Sequence, residues 1–289
     1  MLDLIFAIIY GIVEGITEWL PISSTGHLIL VEKLIPFRSV SDGFFDMFDV
    51  VIQLGAILAV VLLFWKKIWP FALGKRARRR RIHKGYTGAE VWVKKEIIML
   101  WVKILISCVP AAVIGILFDD VFDALFYNPT SVAIALIVFG IAFIVIERVN
   151  DGKAARIRKL SEITYTTAIL IGIFQVLAAI FPGTSRSGAT ILGALLIGVS
   201  RSIAAEYTFF LAIPVMFGAS LLKIVKFGFS LTALEAGVLV LGSLTAFIVS
   251  LFALKFLMNY VKKHDFQIFG YYRIVLGAIV LIAGFAGLI

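Results

Sequence analysis

Long apolar stretches separated by short polar segments run through the whole chain. This pattern predicts six membrane-spanning helices, since each stretch approaches the about 20 apolar residues that a span requires. The predicted spans are Asp49–Trp65, Glu96–Phe118, Ser131–Glu147, Ala204–Leu222, Ala236–Leu254 and Tyr271–Leu288. With 61% hydrophobic residues and a mean hydropathy of +1.05, the composition indicates an all-α polytopic membrane protein and excludes a soluble domain.

Two further apolar stretches are each interrupted by a proline and followed by a hydroxyl-rich turn. The first is expected to be helical over Leu2–Trp19, to turn at Ser23–Gly26 and to return over Leu28–Ile35. The second comprises Tyr165–Ile180 and Gly188–Val199. Proline stops each first helix, because it lacks an N–H and clashes with the preceding turn. Each half is too short to span a bilayer comfortably, so both stretches predict re-entrant helical hairpins that are buried in protein or line a wet cavity.

The two hairpins align at one constant offset, which pairs Gly11 with Gly172, Glu14 with Gln175 and Ser24 with Ser185. Three spans follow each hairpin. The chain is therefore interpreted as a single membrane domain, 1–289, with an inverted-topology repeat whose halves are about 1–147 and 163–289. Interrupted helices in corresponding positions of two halves indicate a site near the bilayer midplane.

Positive charge is concentrated in the loops, and the net charge is +9. The most basic loop, 66–95, lies between two apolar helices, which favours contact with anionic lipid and not with nucleic acid. Basic loops stay in the cytoplasm, so 66–95, 148–162 and 255–270 are expected inside and both termini outside. The first hairpin then enters from outside and the second from inside, as an inverted repeat requires. The single cysteine, Cys108, excludes an internal disulfide.

Glu14 and Glu18 are carboxylates in an otherwise apolar helix, four residues apart and thus on one face. Ionised groups at membrane depth are costly, so they are functional candidates by default. Two adjacent carboxylates repel each other, and a shared proton or a divalent metal ion would relieve this. The alternative is a capping or pairing role near the outer surface. No signal peptide is expected, because a basic N-terminal region is missing and these carboxylates interrupt the apolar stretch.

Four polar residues follow the first proline: Ser23, Ser24, Thr25 and His27. A serine or threonine hydroxyl can cap the returning helix. A cap needs only one hydroxyl, which leaves the others for a ligand. His27 follows two carboxylates and a serine closely, so an acid, base or phosphate-contact role is expected.

Arg186 occupies the second turn, and a buried guanidinium needs an anion. Its fork suits phosphate oxygens, and the alternative is a structural pair with Glu14 or Glu18. Gly183 and Gly188 allow close backbone approach, and the helix N-terminus after them favours an anion. The other candidates in this turn, which would contact phosphate or cap the helix, are Ser185, Ser187 and Thr190. Facing the first hairpin, this turn would hold a phosphate or diphosphate whose lipid tail lies among apolar helices.

Two long motifs carry a family resemblance. E-G-x-T-E-x-L-P-x-S-S-T-G-H at Glu14–His27 and P-G-x-S-R-S-G-A-T at Pro182–Thr190 resemble the signatures of undecaprenyl-diphosphate phosphatase, the bacitracin-resistance family. F-x-V-V-I-Q-L-G at Phe48–Gly55 extends the resemblance along the chain. The basic stretch Lys75–Lys84 is richer in charge than the family requires and is interpreted as a lipid contact.

The resemblance implies a multi-pass enzyme of the bacterial inner membrane that hydrolyses undecaprenyl diphosphate and so recycles the lipid carrier for peptidoglycan. It implies dependence on a divalent cation, Mg²⁺ or Ca²⁺, held by Glu14 and Glu18, and a site open to the periplasmic side. The implied active site consists of Glu14, Glu18, Ser24, His27, Ser185 and Arg186. The attacking group is left open between Ser24, His27 and water, and a homodimer is retained as an option.

Two alternatives were weighed. The type-2 phosphatidic-acid phosphatases need two active-site histidines, whereas His83 and His264 fall in basic loops away from His27, so this class is rejected. A transporter or flippase of a polyprenyl phosphate lipid stays open, because an inverted repeat is a transporter architecture and a fold does not dictate function. Phosphate release by the purified protein separates the two, since transport alone releases none.

Overall fold

The computed structural model describes residues 1–73, 91–126, 128–228 and 230–287, and these residues are almost entirely helical. In chain order the α-helices are α1 Leu2–Thr17, α2 Ser24–Leu34, α3 Phe44–Val51, α4 Gln53–Ile68, α5 Lys95–Phe126, α6 Pro129–Asn150, α7 Tyr165–Ile180, α8 Arg186–Ile197, α9 Arg201–Phe227, α10 Ala233–Tyr260 and α11 Gln267–Phe285. A short 3₁₀ helix covers Leu160–Glu162. Two three-residue strands, β1 Phe71–Leu73 and β2 Val91–Val93, pair in antiparallel fashion.

Six helical segments within the described ranges are long and apolar enough to cross a membrane, which confirms the predicted number of spans. They are Phe44–Ile68, Lys95–Phe118, Pro129–Asn150, Arg201–Phe227, Ala233–Tyr260 and Gln267–Phe285. The first combines α3 and α4, which follow one another across Ile52. The basic stretch Lys75–Lys84 and His83 lie outside the described residues.

The ends of several elements differ from the prediction. α5 continues to Phe126, so Asp119, Asp120 and Asp123 belong to a helix and not to a loop. The returning helix α2 begins at Ser24, four residues before the predicted start. Hydropathy marks where an apolar stretch ends, whereas the hydrogen-bonded helix ends where its backbone is capped. Polar residues therefore extend these helices beyond the predicted limits.

The two proline turns share an unusual backbone conformation. Ser23 has φ 73° and ψ 103°, and Ser185 has φ 67° and ψ 122°; they are the non-glycine residues with positive φ in the described part of the chain. Each caps its helix, accepting a hydrogen bond on Oγ from the N–H of Gly26 (3.3 Å) or Gly188 (3.1 Å). The turns thus match Ser23 with Ser185, and the predicted pairing of Ser24 with Ser185 is one residue out of register.

Helices of the two halves of the sequence pack against each other. α1 packs on α10, where Gly11 approaches the Gly242 carbonyl, and α7 packs on α5, where Gly172 approaches the Ser107 carbonyl. A Cβ on either Gly11 or Gly172 would collide with backbone. α6 packs equally closely on α11. A Cβ on Gly140 would lie 2.7 Å from the Gly270 carbonyl oxygen, and a Cβ on Gly270 would lie 2.7 Å from the Gly140 carbonyl oxygen. These close contacts bring the two proline turns together.

Candidate active site

Glu18 lies at the centre of a polar cluster between the two turns. Its carboxylate accepts a hydrogen bond from Ser24 Oγ at 2.8 Å and from Arg186 Nη2 at 2.6 Å. The Ser187 hydroxyl donates to the Glu18 backbone carbonyl at 3.1 Å. Glu18 is only 7% exposed, so these contacts satisfy a carboxylate that is nearly buried. Carboxylate, hydroxyl and guanidinium from both predicted motifs meet at one point.

The local sequence explains why Ser24 reaches back to Glu18. α1 ends at Thr17, and the chain reverses through the buried Pro21, which cannot continue a helix. Ser23 caps the next helix, so Ser24 is its first residue. Glu18 and Ser24 therefore flank a tight reversal and are held by the ends of two helices.

Arg186 opens α8 and reaches across to the first hairpin. Besides Glu18, its guanidinium donates to the Thr208 carbonyl at 3.2 Å and contacts Met216 Sδ at 3.5 Å. Its side chain is 12% exposed. Of the two structural pairings considered from the sequence, the structure contains the one with Glu18 and not the one with Glu14. The Nε of Arg186 has no hydrogen-bond partner among the described residues.

Glu14 lies one helical turn before Glu18 and in a different environment. It is fully buried, and neither carboxylate oxygen has a hydrogen-bond partner in the described structure. Oδ1 of Asp49 on α3 is buried and unpartnered as well. A buried carboxylate without a partner is costly, so Glu14 requires a proton or a cation.

The residues present fit a divalent cation in their chemistry, since Mg²⁺ and Ca²⁺ prefer carboxylate oxygens. The free oxygens belong to Glu14, whereas Glu18 is already engaged by Arg186 and Ser24. Within the described ranges, no group of three or more His, Cys, Asp or Glu side chains is arranged to hold a metal ion. A cation here would rest on the predicted glutamate pair and on ligands from substrate or water.

His27 contacts Ser23 and Tyr272. Its Nδ1 is 2.7 Å from the Ser23 carbonyl oxygen, and its Nε2 is 2.7 Å from the hydroxyl of Tyr272 on α11. The two rings stack with centroids 5.6 Å apart and an interplanar angle of 12°. Nothing in the sequence distinguishes Tyr272, because an aromatic residue in an apolar span is usually a packing or interface residue.

Arg273, the next residue on α11, is fully buried and joins both turns. Its guanidinium donates to the carbonyls of Pro21 (3.3 Å), Gly183 (2.9 Å) and Thr184 (2.7 Å). Nε has no partner among the residues that the structure describes. Arg273 is absent from the predicted site, although it carries the same signal as Glu14 and Glu18, a charge inside an apolar stretch.

Most hydroxyls of the predicted phosphate-binding set are engaged within the turns. Ser185 Oγ lies 3.0 Å from Ser187 Oγ, and Thr190 Oγ1 lies 2.9 Å from both the Arg186 carbonyl and Thr208 Oγ1. Ser23 and Ser185 therefore cap their helices, whereas Thr190 donates to a carbonyl of its own helix and Ser187 to the Glu18 carbonyl. Thr25 differs, because its partly exposed hydroxyl has no hydrogen-bond partner in the described chain.

Gly183 allows the second turn to pack closely against α6. It has φ 91°, and a Cβ there would lie 2.6 Å from the Val132 carbonyl oxygen. The backbone therefore approaches α6 closely at this position, while the Gly183 carbonyl is held by Arg273.

The chain is similar over nearly its whole length to known proteins of one family. The family model described as bacitracin resistance protein BacA matches residues 7–279. The chain is 61% identical to an undecaprenyl-diphosphatase of Desulfitobacterium hafniense, over 98% of this chain and 96% of that protein. It is 60% identical to undecaprenyl-diphosphatase 1 of Clostridium acetobutylicum (97% of each chain) and 53% identical to an undecaprenyl-diphosphatase of Streptococcus mutans (98% and 96%). The chain belongs to the bacitracin resistance protein BacA family.

Proposed function

We propose that this protein hydrolyses undecaprenyl diphosphate to undecaprenyl phosphate and inorganic phosphate in the bacterial cytoplasmic membrane. This reaction recycles the lipid carrier for peptidoglycan synthesis and confers bacitracin resistance. The relatives named above support the substrate. The observation that carries the chemistry is the contact of Glu18 with both Ser24 and Arg186, because a base, a hydroxyl and a phosphate-binding cation meet there.

Ser24 attacks the terminal phosphorus in this proposal. The hydrogen bond from Ser24 Oγ to Glu18 supports this choice over His27 or water, since an adjacent base is what activates a serine hydroxyl. The Oγ–phosphorus bond forms, Glu18 takes the hydroxyl proton, and the bond from phosphorus to the bridging oxygen breaks to release undecaprenyl phosphate. Water then displaces phosphate from Oγ, and the proton on Glu18 returns to Ser24.

Arg186 binds oxygens of the terminal phosphate. Its Nε–H has no partner in the described chain, and a planar guanidinium binds two phosphate oxygens at once. Thr25, whose hydroxyl is also without a partner, contacts the same phosphate. The other members of the proposed binding set order the two turns around it: Ser23, Gly183, Ser185, Ser187 and Thr190.

Glu14 and Glu18 would hold a divalent cation, Mg²⁺ or Ca²⁺, in the active enzyme. Bound there, the cation would supply positive charge to the phosphate oxygens. The two unpartnered, fully buried oxygens of Glu14 support this assignment. Glu14 would thus position the cation, while Glu18 also accepts the proton of the Ser24 hydroxyl.

The chain forms an inverted repeat with two re-entrant hairpins, and both termini are periplasmic. The matching caps at Ser23 and Ser185 support the repeat. The packing of the two halves supports it as well. α1 and α4 of the first half pack on α10 of the second, and α7 and α9 of the second half pack on α5 of the first. The substrate enters from the periplasmic side, and its prenyl tail lies among the apolar helices.

Phosphate release tests the proposal directly. Purified protein in detergent should release phosphate from undecaprenyl diphosphate in the presence of Mg²⁺ or Ca²⁺, and the Glu18→Gln variant should do so about 10²–10⁴-fold more slowly. The matched control is Glu162→Gln, which removes a carboxylate from the 3₁₀ helix between the halves. A folded wild-type protein that releases no phosphate with either cation would leave the transporter or flippase as the remaining candidate.

A further inference from the structure

The two nitrogens of His27 have different partners, and this fixes the position of the ring proton. Nδ1 lies 2.7 Å from the backbone carbonyl oxygen of Ser23. A carbonyl oxygen only accepts hydrogen bonds, so Nδ1 must carry a proton to make this contact. The assignment comes from the chemistry of the partner atoms and does not need observed hydrogens.

The other ring nitrogen of His27, Nε2, contacts Tyr272. The tyrosine hydroxyl lies 2.7 Å from Nε2, and in a neutral ring with the proton on Nδ1, Nε2 can only accept. The phenol therefore donates to Nε2. The stacked rings, at 12° and 5.6 Å, prevent the imidazole from turning away. His27 is thus held by its own turn on one side and by α11 on the other.

Tyr272 is itself placed by its neighbour on α11. The buried Arg273 donates to the carbonyls of Pro21 in the first turn and of Gly183 and Thr184 in the second. This anchors α11 against both turns one residue from Tyr272. Tyr272 is 46% exposed, so the protein does not enclose the pair completely.

We propose that Tyr272 is a positioning residue that holds the neutral His27 ring, with its proton on Nδ1, through a hydrogen bond to Nε2. His27 can consequently accept at Nε2 a proton from the water that displaces phosphate, while Glu18 takes the Ser24 proton, and it is not the acid for the leaving group. This inference rests on the proposed phosphatase function for its catalytic meaning. The tautomer and the Tyr272 contact can be measured without any activity.

Nitrogen-15 NMR of histidine-labelled, full-length protein in detergent tests the contact first. The chain has three histidines, so His83→Gln with His264→Gln leaves His27 as the only signal. We expect a neutral ring with one protonated nitrogen, assigned to Nδ1, and an Nε2 signal that moves toward its non-hydrogen-bonded value in Tyr272→Phe. A proton on Nε2, a doubly protonated ring, or an unchanged Nε2 signal in Tyr272→Phe would overturn the proposal.

A double-mutant cycle tests the consequence for catalysis. Tyr272→Phe removes one hydrogen bond, so kcat should fall about 2–10-fold with KM unchanged. In a His27→Gln background, Tyr272→Phe should cause no further loss. The control is Tyr271→Phe, which removes the hydroxyl of the adjacent, equally exposed tyrosine that contacts Arg148 at 3.4 Å, and it should keep wild-type rates. Equal losses in both backgrounds would show that Tyr272 acts independently of His27. If wild-type protein released no phosphate, the proposed function would fail, while the NMR result would still decide the role of Tyr272.

Discussion

At the scale of single residues, Glu14 and Glu18 differ in their surroundings although they are one helical turn apart. Glu18 is bound by Ser24 and Arg186, whereas both oxygens of Glu14 are buried without a partner in the described chain. At the corresponding position of α7, the neutral Gln175 is also buried, and its amide has no hydrogen-bond partner in the described chain. The fold therefore tolerates an amide at a buried position of this helix. The two glutamates should therefore respond differently to the same substitution.

Replacement by glutamine keeps the shape of each side chain and removes its charge. Glu18→Gln should lower kcat by about 10²–10⁴-fold, the usual contribution of a general base. Glu14→Gln should retain measurable turnover and mainly weaken the dependence on the divalent cation. Phosphate release across Mg²⁺ and Ca²⁺ titrations, with thermal melting as the folding control, measures both effects. If Glu14→Gln were inactive at every cation concentration while Glu18→Gln turned over, the two roles would be reversed.

Arg186→Lys tests whether the fork of the guanidinium is needed. A lysine supplies the charge without two fixed, parallel donors, so kcat/KM should fall by about 10–100-fold, the value of one charge-assisted hydrogen bond. Arg201→Lys is the matched control, because Arg201 binds Glu147 through two nitrogens but lies at the start of α9. Near-normal kcat/KM in Arg186→Lys would mean that Arg186 contributes only charge.

The sequence identified the residues of the central cluster, because charge and hydroxyls in an apolar stretch are conspicuous. It did not identify which of them touch. The contact of Arg186 with Glu18 and not with Glu14 depends on how two distant turns meet. Tyr272 and Asp49 were missed because their importance lies in neighbours from other helices.

At the scale of elements, the two turns concentrate backbone strain at Ser23 and Ser185. A non-glycine residue in such a sparsely populated region costs about 1–3 kcal/mol. The strain persists because each serine also caps a helix. Because Ser23 and Ser185 are the caps, Ser24 is the first residue of α2 and Arg186 is the first residue of α8.

Substitutions at Ser185 separate strain from capping. Ser185→Ala loses the cap and keeps the strain, so it should destabilise the protein by about 1 kcal/mol. Ser185→Gly loses the same hydroxyl but adopts positive φ freely, so its melting temperature should lie between those of the alanine variant and the wild type. Thermal melting in detergent compares the three proteins. A glycine variant less stable than the alanine variant would contradict the strain assigned to this turn.

Element types were predictable, and element ends were not. α7 has the predicted limits Tyr165–Ile180, because a proline turn and a capping threonine bound its apolar stretch. α5 extends eight residues beyond its predicted end at Phe118, since aspartates at 119–123 do not interrupt backbone hydrogen bonding. The register between the two turns also escaped the sequence, because one additional residue precedes Ser185.

At the scale of the whole molecule, each half depends on the other for its packing. α1 lies against α10, and α7 lies against α5. Apolar patterning gave the six spans and loop charge suggested their direction. Neither contains information about which helices are neighbours. That depends on small residues such as Gly140 and Gly270, whose backbones meet closely.

The proposed topology predicts which loops are accessible from each side of the membrane. In a Cys108→Ala background, cysteine replacing Asp42 should be labelled from the periplasm and cysteine replacing Lys153 only from the cytoplasm. Both positions are exposed in the structure, so accessibility to reagent is limited by the membrane alone. Labelling of both from the same side would rule out the inverted repeat as threaded here.

The central claim is that the Ser24–Glu18–Arg186 cluster breaks the phosphoanhydride bond through attack by Ser24. Phosphate release from undecaprenyl diphosphate by wild-type protein and by Ser24→Ala, matched in melting temperature, measures this most directly. We expect release by the wild type and loss of turnover in Ser24→Ala, with phosphate recovered on Ser24 when the wild-type reaction is quenched in acid. Turnover at the wild-type rate by a folded Ser24→Ala protein would contradict the account.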